Sequence, residues 1–387
     1  MAFHPSHLGA RASSIAFVSL MFAGCMAADG TGSTTDPGTS NGTTSGSDQG
    51  TGSGAAVSQA VSITNLSADQ PGMAANLAPS LVNAWGIVAF DGMFWVADNA
   101  TGKVSILDGK GAASTGTPAS DAIDLGKGIT GVAATGVAAG DTTTFQIHAP
   151  AACMPAMLIF ASENGTLIGV NPALSTSAGF VVVDRSNVGA IYKGVAVTQG
   201  PSGPLVLAAD FHNARIDVFD ANFSLVNNVS FTVPATQLNL APFNVMTIDN
   251  SVYVAFAQPD ANQEDEVAGA GLGMVAAFDT SGTLRWSVNS DSFNAPWGMV
   301  LASDFAPFPN ALLVGNFGDG HITAIDPTTN QVLGQLMDAS AKAAAIDGLW
   351  GLAFGAGVTN AQAAGLYFTA GPDDEMHGAF GVVMASP

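Results

Sequence analysis

Trp297-Gly298-Met299-Val300-Leu301-Ala302, Ala311-Leu312-Leu313-Val314-Gly315-Asn316, His321-Ile322-Thr323-Ala324-Ile325 and Gln331-Val332-Leu333-Gly334-Gln335-Leu336 follow one another within 40 residues. Four short apolar runs, separated by Asp, Asn, Pro and Gly, read as a four-stranded antiparallel unit with tight turns. The unit opens on Trp-Gly, and a comparable anchor recurs along the chain. The anchors are Trp85-Gly86, Thr130-Gly131, Lys193-Gly194, Phe243-Asn244, Trp297-Gly298 and Trp350-Gly351, at separations of 45, 63, 50, 54 and 53 residues. A period near fifty, built from short strands, is the signature of a β-propeller blade. The expectation is an all-β, six-bladed propeller.

Other blades follow the same plan. The first reads as Trp85–Phe90, Met93–Asp98, Lys103–Leu107 and an outer Ala122–Leu125. The third reads as Lys193–Thr198, Leu205–Asp210, Arg215–Phe219 and Leu225–Thr232. The sixth has Trp350–Phe354, Leu366–Ala370 and Gly378–Met384, and then lacks an outer strand. Val57–Leu66, with its alternating Val61 and Ile63, is available to fill that place. Pairing of the N- and C-terminal strands closes the ring and removes two free edges. The propeller is thus assigned to residues 57–387. Glycine at the second anchor position suits inner strands that converge on a channel, where a Cβ would crowd the next blade.

The N-terminus reads as an export signal over residues 1–25. Arg11 precedes the apolar run Ala12 to Gly24, which is too short to span a bilayer. Phe22-Ala23-Gly24-Cys25 resembles a bacterial lipobox, with Phe22 in place of the usual Leu. Lipidation is therefore assigned to Cys25; ordinary cleavage near Ala27-Ala28 is the simpler alternative. Residues 26–56, rich in Thr, Ser, Gly and Asp, read as a flexible tether. Its Gly38-Thr39-Ser40-Asn41-Gly42 matches a nucleophile pattern but has no preceding strand or following helix, so it is accidental. With Cys25 acylated, Cys153 stands alone and reads as a buried, inert thiol. The protein is expected in the cell envelope, on a periplasmic or outer-membrane face, or else secreted, with its membrane contact through the lipid only.

Acidic residues outnumber basic ones by 30 to 9, a formal charge of −21 that repels nucleic acid and anionic lipid and favours cations or neutral ligands. In a four-stranded blade, the loop leading into the inner strand and the loop between strands two and three share one face. Sorted this way, acids, amides and imidazoles gather on one mouth, and the opposite face draws mostly Ala, Gly, Ser and Thr. The ligand or metal candidates are Asp98, Glu163, Asp210, His212, Asn244, Asn316, Asp347 and His377. The same face also collects Asn83, Asn99, Asn164, Asn213, Asp260, Asn294, Asp319, His321, Asp373, Asp374 and Glu375, and receives the acidic insertion Glu264-Asp265-Glu266. Oxygen ligands suit Ca²⁺; adding imidazoles suits Zn²⁺. Asp210 and His212 are the catalytic candidates, as metal ligand and general base. No H-E-x-x-H, C-x-x-C, EF-hand, Walker A or G-x-G-x-x-G pattern occurs. Asp108, Asp220, Asp279 and Asp326, each closing a third strand, read as turn residues, and the anchor tryptophans read as packing between blades.

Several segments carry a family resemblance. They are Ala208-Ala209-Asp210-Phe211-His212-Asn213-Ala214-Arg215, Asn294-Ala295-Pro296-Trp297-Gly298, Leu313-Val314-Gly315-Asn316-Phe317-Gly318-Asp319-Gly320, Ile346-Asp347-Gly348-Leu349-Trp350-Gly351 and Tyr367-Phe368-Thr369-Ala370-Gly371-Pro372. Together the chain from about Asn65 onward resembles a family of exported bacterial conserved hypothetical proteins related to NHL-repeat propellers. The resemblance implies an NHL-like six-bladed fold and no particular activity. Some members end in a sorting tail; here anchoring is expected through Cys25 instead. More distant six-bladed propellers include calcium-dependent lactonases, lyases and pure binding modules. Two functions follow as expectations: a monomeric ligand-binding or scaffold module for a small molecule, glycan or envelope protein, or a metal-assisted hydrolase or lyase acting at the polar mouth.

Overall fold

The computed structural model describes residues 59–386 apart from 128–130, 142, 151 and 235–238. The export signal, Cys25, the tether, Val57 and the Thr130 anchor lie outside the described residues. Six sheets carry the fold. Blade 1 has Ala84–Phe90, Met93–Asp98 and Lys103–Leu107. Blade 2 has Ala134–Ala139, Leu158–Ser162, Thr166–Val170 and Phe180–Asp184. Blade 3 has Tyr192–Gly200, Gly203–Asp210, Arg215–Phe219 and the two-residue Leu225–Val226. Blade 4 has Ala241–Ile248, Ser251–Ala257, Gly273–Asp279 and Leu284–Asn289; blade 5 has Pro296–Leu301, Leu312–Asn316, Ile322–Asp326 and Gln331–Gln335. Every consecutive pair within a blade is antiparallel.

Blade 6 is shared between the two ends of the chain. Leu349–Phe354, Leu366–Ala370 and Ala379–Ala385 are completed by Val61–Ala68, antiparallel to the last strand with Val61 opposite Ala385 and Ala68 opposite Ala379. The expected ring closure is present, displaced a few residues downstream of the stretch read from the sequence. Asn76–Leu77 adds a short parallel edge beyond it.

Apolar side chains of neighbouring sheets interdigitate, so the core lies between blades. One cluster joins Leu207, Val218, Val245, Val254 and Phe278 from blades 3 and 4. Another joins Leu313, Ala324, Leu349, Leu352 and Phe368 from blades 5 and 6.

The inner strands meet at their anchors. A Cβ on Gly86 would lie 2.6 Å from the Thr135 carbonyl oxygen, and one on Gly351 would lie 2.6 Å from that of Trp85, which closes the circle. Such separations are far inside van der Waals contact, so only glycine lets adjacent backbones approach this closely. Gly136, Gly194 and Gly298 stand in the same relation to blades 3, 4 and 6. The exception is Asn244, whose Nδ2 donates to the Trp297 carbonyl at 2.8 Å and replaces contact by a hydrogen bond.

Two readings of the sequence are corrected here. The blade 2 anchor is Thr135-Gly136, on the inner strand Ala134–Ala139, and not Thr130-Gly131. Only the later Thr-Gly pair meets both neighbours: Thr135 Oγ1 donates to the Tyr192 carbonyl at 2.7 Å. The outer edge of blade 1 is a looped segment, and Ala122–Leu125 contributes two isolated bridges, both at Asp124, to Lys103 and to Ala178. The turn aspartates behave as expected. Asp108 Oδ1 accepts from the backbone N–H of Lys110 and Ala112, Asp220 Oδ1 from Asn222 and Ser224, and Asp279 Oδ1 from Ser281 and Thr283. Asp326 Oδ1 accepts from Thr328 and Thr329. Each satisfies donors that the turn leaves free.

Candidate functional site

The first residues of the six anchors are Trp85, Thr135, Lys193, Phe243, Trp297 and Trp350, and they converge on the channel axis. Trp85 stacks on Trp350 with ring centres 3.5 Å apart, and Trp297 meets both edge-on at 5.9 and 5.6 Å. Phe317 stacks on the far side of Trp350 at 4.1 Å. Stacked and edge-on pairs satisfy the aromatic quadrupoles, so these rings form a packed plug. All three tryptophans are buried, with faces turned to one another and not to solvent. A cavity of about 20 Å³ remains on the axis, lined by Gly86, Gly136, Asn244, Gly298 and Gly351, with room for about one water.

The odd member of the set is Lys193, whose side chain is 1% exposed. Its ammonium lies 5.3 Å from the Trp85 ring centre and 5.9 Å from that of Phe211, within cation–π range. It donates to Glu163 Oε1 at 2.5 Å and to Asp265 Oδ1 at 3.1 Å. Burial alone would drive the proton off, but the attraction of Glu163, Glu266 and Asp265 outweighs it, and Lys193 is held above the ordinary lysine range. It is a fixed cation and not a nucleophilic amine.

Four carboxylates from three blades face this one cation. Glu163 follows the second strand of blade 2. Asp265 and Glu266 belong to the insertion between the second and third strands of blade 4. That insertion is fixed by a bridge between Pro259 and Glu266, by Asp260 Oδ1 accepting from Glu264 N–H, and by Gly269 N–H donating to Asn294 Oδ1. Glu375 comes from the turn before the last strand, where Asp373, Asp374 and Glu375 all take left-handed φ, at 58°, 52° and 64°. Three consecutive non-glycine residues in that region store of order 1–2 kcal/mol each. The turn is held by Asp347 Oδ2, which accepts from Asp373 N–H at 3.1 Å, and by Asp69, which bonds both His377 Nδ1 at 3.0 Å and Gly378 N–H at 2.9 Å.

Amides link these acids to the plug. Trp350 Nε1 donates to Asn83 Oδ1, and Asn83 Nδ2 lies within bonding distance of both Asn99 Oδ1 and Glu375 Oε1. Asn99 Nδ2 donates to Glu163 Oε2 at 3.2 Å. Trp85 Nε1 is buried without a hydrogen-bond partner. Carboxylates outnumber ammonium here, and Glu266 is the acid most raised. Burial raises it most, Lys193 opposes the rise, and Glu375 and Asp265 add to it, leaving its pKa at about 7. Glu375 is raised for the same reasons, burial first, against the hydrogen bond from Asn83.

Of the residues singled out from sequence, Glu163 is in this cluster, and His377 and Asp347 brace the Glu375 turn. The others are bonded elsewhere, to separate partners. Asp98 is buried against Ser105 Oγ at 2.7 Å, and burial lifts its pKa well above the usual carboxylate range. Asp210 accepts from Ile191 N–H and Asn213 Nδ2 and lies 3.3 Å from Arg215 Nη2. His212 Nδ1 pairs with the Gln263 carbonyl at 3.2 Å. Asn244 is spent on Trp297, and Asn316 Nδ2 on the Ser292 carbonyl and Asp319. Among the described residues, no group of three or more His, Cys, Asp or Glu side chains is placed to hold a metal ion. The eight candidates therefore do not form one ligand set. Cys153 also differs from expectation: it is half-buried, not buried, on an inserted hairpin, its Sγ 3.4 Å from His148 Nδ1. Lys193 is the residue that sequence reasoning passed over. The available signal was a lone lysine at an anchor position otherwise held by Trp, Phe or Thr.

No family model matches the chain. An uncharacterized protein of Acanthamoeba polyphaga mimivirus is 29% identical over 330 residues, covering 83% of this chain and 79% of its own length. A second from the same virus is 29% identical over 296 residues, covering 73% and 75%. These relatives are viral, so a bacterial family attribution is not supported. Among solved structures, a protein of unknown function from Bacteroides thetaiotaomicron superposes with a TM-score of 0.52 at 12% identity, covering 84% of this chain and 76% of that one. A streptogramin B lyase covers 86% of this chain and 100% of its own, with a TM-score of 0.48 and 11% identity. The chain is a six-bladed β-propeller. At such identities a shared fold does not transfer a chemistry.

Proposed function

We propose that the protein is an exported binding module whose acidic mouth takes a small cationic ligand. One observation carries this reading: four carboxylates, drawn from three blades and partly held by a strained turn, gather about a single ammonium. Burial holds Glu266 at about 7, and Glu375 and Asp265 add to the rise against the pull of Lys193. An external cation seated beside Glu266 and Glu375 would offset that repulsion and lower both pKa values.

Calorimetric titration at pH 7 with Ca²⁺, Zn²⁺ and putrescine tests it. The expected result is binding of at least one cation with proton release from Glu266, seen as a heat that changes with buffer ionisation. Glu375→Gln should weaken binding about tenfold. No heat from any of the three would leave a scaffold. The same reading places the protein outside the cytoplasm and tethered through Cys25. Mass spectrometry of the mature protein decides that part: acylated Cys25 supports the tether, and Cys25 in a disulfide with Cys153 refutes it.

A hydrolase or lyase is the second reading, and Glu266 favours it, because a carboxyl titrating near 7 suits general acid–base work. Turnover of a lactone panel that disappears in Glu266→Gln would establish it.

A further inference from the structure

A second cavity, of about 320 Å³, lies at the outer edge of blade 3, far along the sheet from the inner strands. It exists because the outer strand is cut short. Leu225–Val226 pairs only with Phe219 and Val218, and residues 227–232 then leave the sheet and wall off a space beside Arg215, Ile216 and Asp217. Sequence alternation had extended that strand to Thr232; its early end makes the cavity.

The wall is chemically divided. Val218, Leu225, Val226, Val229 and Phe231 line one side, and Arg185 and Arg215 stand at the other with Asp217 between them. Arg185 arrives from blade 2, just past the strand Phe180–Asp184. Two guanidinium groups in one cavity are notable in a chain with only nine basic residues.

Asp217 is already committed. Its Oδ1 accepts from Arg215 Nε at 2.7 Å and its Oδ2 from Tyr192 OH at 2.9 Å. Arg215 Nη2 also reaches Asp210 Oδ2 at 3.3 Å, behind the wall. Arg185 is held only by a long ion pair to Asp217. Its Nε is buried without a hydrogen-bond partner, and the nearest carboxylate oxygen, Asp217 Oδ2, is 3.7 Å away. A buried guanidinium N–H without an acceptor is costly, and a planar anion is the partner that suits its geometry. The volume falls at the lower end of the range for small-molecule sites, which pair an apolar lining with a few placed polar groups.

We propose that this cavity binds a small amphiphilic carboxylate, its carboxyl group held by Arg185 and Arg215 and its hydrocarbon tail lying on Val226, Val229 and Phe231. The site is separate from the channel mouth and opposite to it in charge preference. Octanoate is the probe, with 1-octanol and octylamine as controls carrying the same tail. Calorimetry on the full chain should show octanoate binding, with octanol weaker by about tenfold or more and octylamine silent at this site. Arg185→Gln should weaken octanoate about tenfold with at most a small fall in melting temperature, because inside the protein it gives up one long ion pair to Asp217 and no hydrogen bond from Nε. Val229→Trp, which fills the tail space, should abolish binding and serves if Arg185→Gln fails to fold. No octanoate heat, equal affinity for octanoate and octanol, or unchanged binding in a folded Arg185→Gln or Val229→Trp protein would overturn the proposal.

Discussion

A chain shortened to begin at Asp69 is expected to lose its cooperative melt, or to melt far below a chain shortened only to begin at Gln59. The strand Val61–Ala68 makes seven register pairs with Ala379–Ala385 and buries Val61, Ser67 and Ala68. Val61 N–H also donates to the Met337 carbonyl of blade 5, so this strand ties blade 6 to its neighbour. At about 0.5–1.5 kcal/mol per hydrogen bond, plus the apolar area lost, removing it costs roughly 5–10 kcal/mol, comparable with the whole stability of a typical domain. It would also bare the edge of a strand carrying Phe380, Val382 and Val383, which invites pairing between chains. Thermal melts with size-exclusion chromatography compare the two truncations directly. Equal melting temperatures and a monodisperse peak from both would show that the ring does not depend on this closure.

That closure was legible in the sequence because it is a counting argument. The last blade, Leu349 to Ala385, has three strands, and an unassigned alternating strand lies at the other end of the chain. The anchors were legible for a similar reason: glycine is required where inner strands touch, and a spacing near fifty exposes the repeat. The slip at Thr130-Gly131 shows the limit, since a second Thr-Gly pair sits five residues on and local pattern cannot choose between them. What chooses is the neighbour: only Gly136 lies against Val195 N and only Thr135 reaches the Tyr192 carbonyl.

The site was legible only in part, and the reason is physical. Loop sorting put Glu163, the Glu264-Asp265-Glu266 insertion and Glu375 on one mouth, but could not say which of some twenty polar groups converge. Most do not, because an aspartate or asparagine at a strand end is first satisfied by its own turn, as Asp210 is by Ile191 and Asn213. The residue around which the acids gather, Lys193, sits at an anchor position, where pattern reading looks for packing and finds it. Its partners at 163, 265 and 266 have no fixed spacing from it, so no local motif could announce the cluster.

Lys193→Met is the substitution expected to expose that cluster most clearly. Methionine keeps much of the volume against Trp85 and Phe211, so the chief loss is the charge. Breaking a buried ion pair from one side typically costs 3–5 kcal/mol; Asp265 is largely exposed here, so a loss of about 2–4 kcal/mol at pH 7.5 is expected. The pH dependence distinguishes this from a packing defect. Glu266 has its folded pKa raised to about 7, above the ordinary glutamate value, so between those two values the folded state binds more protons than the unfolded one. Stability linked to Glu266 is therefore greatest at acid pH and falls as pH rises from about 4.5 to 7. The raised Glu375 acts in the same direction. Removing the ammonium lifts these carboxyls further and steepens the decline in the variant. The deficit of Lys193→Met should accordingly be large at pH 7.5 and shrink by more than half at pH 5, where the acids can take up protons. Adding Glu266→Gln to Lys193→Met removes one of the stranded charges and should recover part of the loss at pH 7.5. Chemical denaturation of the four proteins, wild type, each single variant and the double, at both pH values isolates the coupling. An equal loss at pH 5 and 7.5, with no recovery in the double variant, would mean that Lys193 fills space in the plug and that the acids above it are not balanced by its charge.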